Sequence, residues 1–312
     1  MSSIMKRLVD RLDAAEQIFF GRQLEHVKAK TYDILYPELL APKLFPVSYE
    51  AGAGADTIKY EQFDMVGMAK IIASYANDLP RCDVKGKEFI ANVKSLGASY
   101  GYNIQEVRAA AMKGMPLAQR KANAAKRAIK YLENYIAFFG DTDHNLPGFL
   151  SNANIPNALA EADGVGATST WTTKTPDQII RDINDAVNDM RDLTKGVEAP
   201  DTLLLPEYQY GLIASTPRAS NSDATILDFV LRTNPWLKQV IPCFELKGTG
   251  TGTADQFVIY NRNPDKVELN IPSEFEQFPP QEKGLEFEIP CHQRMCGTIV
   301  YYPLSASKVY GI

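Results

Sequence analysis

The residues with the most chemical promise are Gly97-Ala98-Ser99-Tyr100-Gly101, which fit the G-x-S-x-G pattern of a nucleophile elbow. In that device a sharp strand-to-helix turn exposes a serine hydroxyl for attack on an acyl group. Ser99 does fall between a strand-like and a helix-like segment. Against the match, an elbow serine leads straight into its helix, whereas the helix cap here is at Asn103. The preceding strand also alternates, unlike the continuous apolar strand of a parallel α/β sheet. A serine hydrolase using Ser99 therefore stays a remote alternative, and a glycine-bounded bend is the simpler account.

The other chemical leads are weaker. The chain has 3 histidines, His26, His144 and His292, which narrows general acid–base options without removing carboxylates. Cys291-His292 with Cys296 suggests a metal, but zinc needs about four ligands at paired spacings and no second pair lies nearby. Gly248-Thr249-Gly250-Thr251-Gly252-Thr253 is glycine-rich yet lacks the Lys-Ser/Thr of a phosphate loop, so it reads as a turn between Leu246 and Phe257. Asp141-Thr142-Asp143-His144 starts like a calcium loop but lacks its glycine and terminal glutamate. It reads as a cap and turn. No catalytic residue, cofactor or metal is expected.

The elements around these residues are more informative. Ile4, Leu8, Leu12, Ala15 and Phe19 recur at helical spacing and predict an amphipathic first helix. Pro37, Pro42 and Pro46 then favour an extended path over some surface, in the manner of an arm. From Thr57 to Tyr102 the pattern is mostly β: Ile58 and Tyr60 alternate with polar neighbours, as do Phe89, Ala91 and Val93. Asn77 to Asp83 has the composition of a loop between them. The whole reads as a long two-stranded excursion. Such a ribbon is marginal alone in water, which implies a stabilising partner.

Asn103-Ile104-Gln105-Glu106 has the form of a helix cap followed by an acidic third position. Gly114-Met115-Pro116 interrupts the helix and Pro116 is placed to restart it. Ala118, Ala122, Ala125, Ile129, Leu132, Ile136 and Phe139 then form one apolar stripe, ended by Gly140-Asp141. Between Asn103 and Gly140 there are seven basic and two acidic residues. The other side is therefore basic: Arg120, Lys121, Lys126, Arg127 and Lys130. Such a face is usually just solvated, though it also offers a weak, sequence-independent attraction to phosphates. No cluster of exposed aromatics is expected beside it, so base stacking is not indicated.

Thr175-Pro176-Asp177-Gln178 is a capping box with proline at the first helical position. Ile179, Ile183, Val187 and Met190 are its buried stripe and Lys195-Gly196 its stop. Leu203 to Leu205 reads as a buried strand and Thr225 to Arg232 as a helix. Strands are predicted at Phe257 to Tyr260, Val267 to Ile271, Leu285 to Ile289 and Thr298 to Tyr302. Residues 255 to 290 hold eight acidic and three basic side chains, so charge is segregated along the chain. Helices and strands come in blocks with no regular βαβ alternation, which makes the class α+β.

The bulk numbers agree with a folded chain. It has 312 residues, 45% hydrophobic and 23% charged, with net charge −5, which gives no global pull toward nucleic acid. Cys82, Cys243, Cys291 and Cys296 are too scattered for a disulfide framework and read as reduced thiols. Met1 to Phe20 has no signal-peptide core, and no run of about 18 apolar residues spans a membrane. A soluble intracellular product is expected.

Taken in order, these elements resemble the major capsid protein of tailed bacteriophages, with the Hong Kong 97-type (Johnson) fold. The likeness is carried by Tyr60-Glu61-Gln62-Phe63-Asp64 through Ala69-Lys70-Ile71-Ile72, then Asp78-Leu79-Pro80-Arg81. Tyr100-Gly101-Tyr102-Asn103-Ile104-Gln105-Glu106, Ala137-Phe138-Phe139-Gly140-Asp141 and Leu146-Pro147-Gly148-Phe149-Leu150 extend it over nearly the whole chain. The resemblance implies an N-terminal arm over 1–50 and an extended β-hairpin loop over 51–102. It implies the spine helix of a peripheral domain over 103–149, an axial domain over 150–250, and strands completing the peripheral domain over 251–312.

It further implies self-assembly into hexamers and pentamers that form an icosahedral shell enclosing double-stranded DNA held by non-specific contact. The implied partners are other copies, a portal, a scaffolding protein and a decoration protein, with no membrane. The implied location is the virion, and the host cytoplasm during assembly. The arm leaves no room for a fused scaffolding segment, so a separate scaffold is expected. The nearest alternative is an encapsulin-like compartment, and a lumen-facing basic stripe would favour polyanion packaging over protein cargo.

Overall fold

A computed structural model describes residues 36–68, 82–113, 117–219, 221 and 223–312. The chain divides into two units, 1–38 and 39–312, and the second holds all of the described helices and strands. The helix expected over Ile4 to Phe19, most of the loop from Asn77, and Gly114-Met115-Pro116 lie outside the described residues.

Helix α1 (Ala41–Leu44) and strand β1 (Val47–Ser48) anchor the end of the proline-rich segment. Phe45 between them is fully buried among Phe138, Phe149 and Tyr260, with ring centroids 4.9 to 6.0 Å away. The Tyr260 hydroxyl donates to the Leu44 carbonyl at 2.7 Å, and the Ala41 N–H donates to Asn134 Oδ1 at 2.9 Å. Extended chain with few internal bonds is held here by aromatic burial and by caps from distant side chains.

Strands β2 (Thr57–Val66) and β3 (Asp83–Asn92) form a two-stranded antiparallel ribbon, in register from Thr57↔Asn92 to Val66↔Asp83. One face at its base packs Ile58, Tyr60 and Ala91 against Val93, Cys296, Ile299 and Tyr301. β4 (Lys94–Asn103) is not part of this excursion. It pairs antiparallel along its full length with a strand near the C-terminus, Lys94 opposite Met295 and Asn103 opposite Glu286. Period-2 alternation marks a strand but carries no information about which partner it takes.

Helix α2 (Ile104–Lys113) starts as its sequence dictates, with the Glu106 N–H donating to Asn103 Oδ1 at 2.7 Å. Helix α3 (Leu117–Phe139) follows. Ala125, Ile129 and Ile136 of its predicted stripe are buried, but Leu132 is 42% exposed while Glu133 is 1% exposed. The buried stripe turns through Glu133 because Lys130 Nζ lies 2.6 Å from its carboxylate and Gln293 Nε2 donates to it. With both partners in place, burying the acid is tolerable. Gly140 ends the helix at φ +70, where a Cβ would fall 2.5 Å from the Leu146 carbonyl oxygen.

β5 (Asn157–Leu159) precedes α4 (Pro176–Leu193), whose Thr175 N–H donates to Gln178 Oε1 at 2.7 Å as the capping-box sequence requires. Its stripe of Ile179, Ile183, Val187 and Met190 is buried throughout. After α4 come β6 (Thr202–Leu205), α5 (Glu207–Ser215), α6 (Ile226–Thr233) and β7 (Gln239–Pro242). The remainder is strand: β8 (Gln256–Tyr260), β9 (Val267–Asn270), β10 (Ser273–Gln277), β11 (Gln281–Lys283), β12 (Glu286–Met295), β13 (Gly297–Val300) and β14 (Ala306–Tyr310).

These strands do not return to α3 as one block, so the expected 251–312 segment must be divided. β8 and β14 join β5, β6 and β7 in a five-stranded sheet, order β5-β14-β8-β6-β7. β9 pairs with β1 and β13, while β12 pairs with β4, β10 and β11. Two main cores result. One gathers α1, α3 and the strands around Phe45 and Phe149. The other packs α4, α5 and α6 on the inner faces of β6, β8 and β14.

Candidate assembly surface and basic helix

The chemical leads resolve into structure. Ser99 lies in the flat middle of β4, opposite Pro290 of β12, in neither an elbow nor a glycine-bounded bend. Its hydroxyl is a hydrogen-bond partner of Glu288, which also pairs with Lys283. The four cysteines are unpaired, and Cys243, Cys291 and Cys296 are buried as small hydrophobes. His292 sits beside the Phe278 ring. Asp141 makes a closed turn after α3: its Oδ1 accepts from the Asp143 N–H at 2.9 Å and its Oδ2 lies 2.7 Å from His144 Nδ1. The hydrogen bond from His144 holds its carboxyl below the usual range. Gly248 to Thr253 is a turn tied by the Asp255 carboxylate, which accepts from the Gly248 N–H at 2.8 Å. Among the described residues no cluster of three or more His, Cys, Asp or Glu could hold a metal, and no helix is long and apolar enough to cross a membrane.

A cleft of about 660 Å³ at the ribbon's base is lined by tyrosines and carboxylates, among them Tyr60, Glu61, Glu268 and Tyr301. Tyr301 donates to Glu268 at 2.6 Å, and burial with that bond pushes its hydroxyl pKa up. The phenol is thereby kept protonated, the opposite of what a base or nucleophile needs.

The five basic residues of α3 do not share one line. Helical spacing puts exposed Arg120 and half-buried Arg127 two turns apart on one side, Lys126 and Lys130 on one flank, and Lys121 on the other. Lys121 is committed within the chain: its Nζ donates to the Gly101 carbonyl at 2.8 Å and to Glu106 at 2.7 Å, over the Tyr102 ring. The hydrogen bond from Lys121 holds the Glu106 carboxyl below its ordinary range. Lys130 pairs with buried Glu133, and Lys126 stands 5.9 Å from the Phe275 ring centroid. The expected basic face is thus broken up by contacts to β4, β10 and α2 and by an ion pair within α3 itself.

Exposed aromatics do accompany this helix, contrary to the sequence expectation. Tyr131, Leu132 and Tyr135 are 61%, 42% and 50% exposed. Their i, i+4 spacing after Arg127 is readable in the sequence, but assigning Leu132 to the buried stripe hides the second one. The ribbon has a comparable surface, since Phe63, Met65 and Val84 are 64%, 87% and 57% exposed. Among the described residues these are the plainest uncovered apolar faces, and their chemistry is burial rather than catalysis.

A family model described as major capsid protein matches residues 67–312. Among solved structures, the capsid of Myoviridae phage XM1 matches with a TM-score of 0.81 at 17% identity, over 93% of this chain and 98% of that one. A protein of Mycobacterium phage Ogopogo matches at 0.63 and 12%, over 93% and 97%. A virus-like particle from Pyrococcus furiosus matches at 0.54 and 11%, over 86% and 90%. No curated protein matches the sequence.

Proposed function

The chain belongs to the major capsid protein family and is a capsid shell protein with the Hong Kong 97-type fold of tailed bacteriophages, and on this basis we propose how it builds the shell. Copies associate into hexamers and pentamers that close an icosahedral head around double-stranded DNA. Surface burial supplies the energy and no covalent step is needed. Each contact is modest, but many repeat around every subunit, so their effects multiply. The observation that carries this reading is the β2–β3 ribbon, only two strands wide and apolar on a face that no described part of its own chain covers. Beyond its packed base a ribbon of that kind is marginal alone in water, and a partner covering its apolar face stabilises it.

In this reading residues 1–50 act as the arm, the β2–β3 part of 51–102 as the extended loop, β4 with 103–149 as the sheet and spine of the peripheral domain and 150–250 as the axial domain. The 251–312 strands serve both domains, consistent with their division between sheets. The basic residues Arg120, Lys126 and Arg127 of α3 supply a weak attraction to packaged DNA. Portal, scaffolding and decoration proteins complete a particle assembled in the host cytoplasm. Electron microscopy of the purified protein tests the reading: shells or capsomers support it, and monomers at every concentration reject it. The likeness to the Pyrococcus furiosus virus-like particle favours, as a second reading, an encapsulin-like compartment. Nuclease-protected DNA inside shells isolated from infected cells separates the two.

A further inference from the structure

A cleft of about 260 Å³ runs between β5, the edge strand of the five-stranded sheet, and helix α4. Its charged lining is acidic throughout: Glu161 just past β5, and Asp182, Asp185 and Asp189 on α4. The remaining lining is apolar and includes Leu159, Ala186 and Val309. Positions 182, 185, 186 and 189 share one helical face, so the three aspartates stand one turn apart beside an apolar floor. Glu161, Asp185 and Asp189 are exposed, and among the described residues none of them has an ion-pair partner. Asp182 differs. Its side chain is 2% exposed, its Oδ2 accepts from Lys174 and Trp171, and its Oδ1 has no hydrogen-bond partner among the described residues. A buried carboxylate oxygen left without a partner costs free energy that a cation in the cleft would recover. The aspartates are too spread to enclose one metal ion, and among the described residues no cluster of three or more such ligands could hold one. They extend over about 10 Å of helix, which calls for several linked positive charges. Two ammonium groups joined by three or four methylenes stand about one helical turn apart, and the methylenes suit the apolar floor.

We infer that this cleft binds a linear aliphatic polyamine, its ammonium groups on Asp182, Asp185 and Asp189 and its methylenes over Leu159, Ala186 and Val309. Because the ammonium groups are linked, the second and third contacts form within one bound molecule, and affinity rises well above that of a single amine. A lysine side chain from a neighbouring copy brings one ammonium only and leaves two of the acids unanswered. The site lies wholly on β5, α4 and β14. It needs neither a second copy nor nucleic acid, and it stands apart from the shell-building reading.

Isothermal titration of spermidine into the full-length chain tests the site, in low-salt buffer where charge pairs are least screened. One spermidine per chain is expected, bound at least about tenfold more tightly than the single-ammonium control n-butylamine. Asp185→Asn with Asp189→Asn, both at exposed positions, should weaken spermidine about tenfold and leave the unfolding temperature without amine no lower. Glu282→Gln with Glu286→Gln removes the same charge from exposed positions elsewhere and should bind as the parent chain does. Equal weakening in the two pairs, or no saturable binding, overturns the proposal in favour of diffuse attraction to an acidic chain. Impaired assembly in the aspartate pair, with no spermidine bound by the parent, overturns it in favour of a neighbour's lysine in the cleft.

Discussion

Lys121 Nζ lies 2.7 Å from the Glu106 carboxylate and bridges α3 back to α2. The same ammonium donates to the Gly101 carbonyl of β4, so one side chain ties together strand, short helix and long helix. Lys121→Gln should loosen α2 selectively. Hydrogen exchange would then speed up across Ile104 to Met112 and stay unchanged at Ile129 and Ile136.

Acid should do the same in the parent chain. The Glu106 carboxyl is held below its ordinary value, chiefly by the Lys121 hydrogen bond. Its contribution is therefore full above the unfolded value, about 4.3, and fades as pH falls through the folded one. Exchange in α2 should rise on acidification below about pH 4, and much less so in Lys121→Gln. Equal acid sensitivity in both would place the titrating group elsewhere.

These contacts mark where the sequence stops being legible. Local signals place the helix starts at Asn103 and Thr175, the Gly140 stop and the strands β2, β3, β6, β8, β9, β12 and β13, because caps and alternation act over a few residues, whereas β1, β5, β7, β10, β11 and β14 are not among those expected. Pairing partners are not legible, as β4 shows: its partner lies beyond residue 285 and nothing local names it. Nor is the inward turn of Glu133, which depends on Gln293, 160 positions away. A count of charges finds the basic residues of α3, but only the packing reveals that Lys121 and Lys130 are spent within the chain.

A buried ion pair should govern the stability of the α4 lobe. Lys174 is 0% exposed at its side chain, and its Nζ lies 2.5 Å from Asp182 Oδ2, which also accepts from Trp171 Nε1 at 2.9 Å. Asp182→Ala leaves that ammonium buried without its main counter-charge and should cost about 3–5 kcal/mol. Thermal unfolding would show it, and Lys174→Met combined with Asp182→Leu should recover much of the loss.

Phe45 should decide whether the arm stays attached. It fills the space between Phe138, Phe149 and Tyr260, so Phe45→Ala opens a cavity costing about 3–5 kcal/mol. Removing residues 1–38 keeps this anchor, whereas cutting at residue 45 removes Leu44 and Phe45 from the core. The first truncation should therefore give folded subunits or capsomers that fail to close. The second should lower the unfolding temperature as well. Normal closed shells from the 1–38 truncation would remove the arm from assembly.

Arg120 and Lys126 should report on nucleic acid without disturbing the shell. Neither is needed to cover the core, and replacing both by glutamine removes two charges while leaving the Lys121 and Lys130 pairs in place. Phosphate contacts release counterions, so each lost contact should flatten the log–log salt dependence of DNA binding by about one. The double variant should assemble normally, bind duplex DNA more weakly at low salt, and show a slope smaller by about two. A slope equal to that of the parent chain would mean these residues face away from the packaged DNA. The charge of α3 would then serve solubility or subunit contact alone.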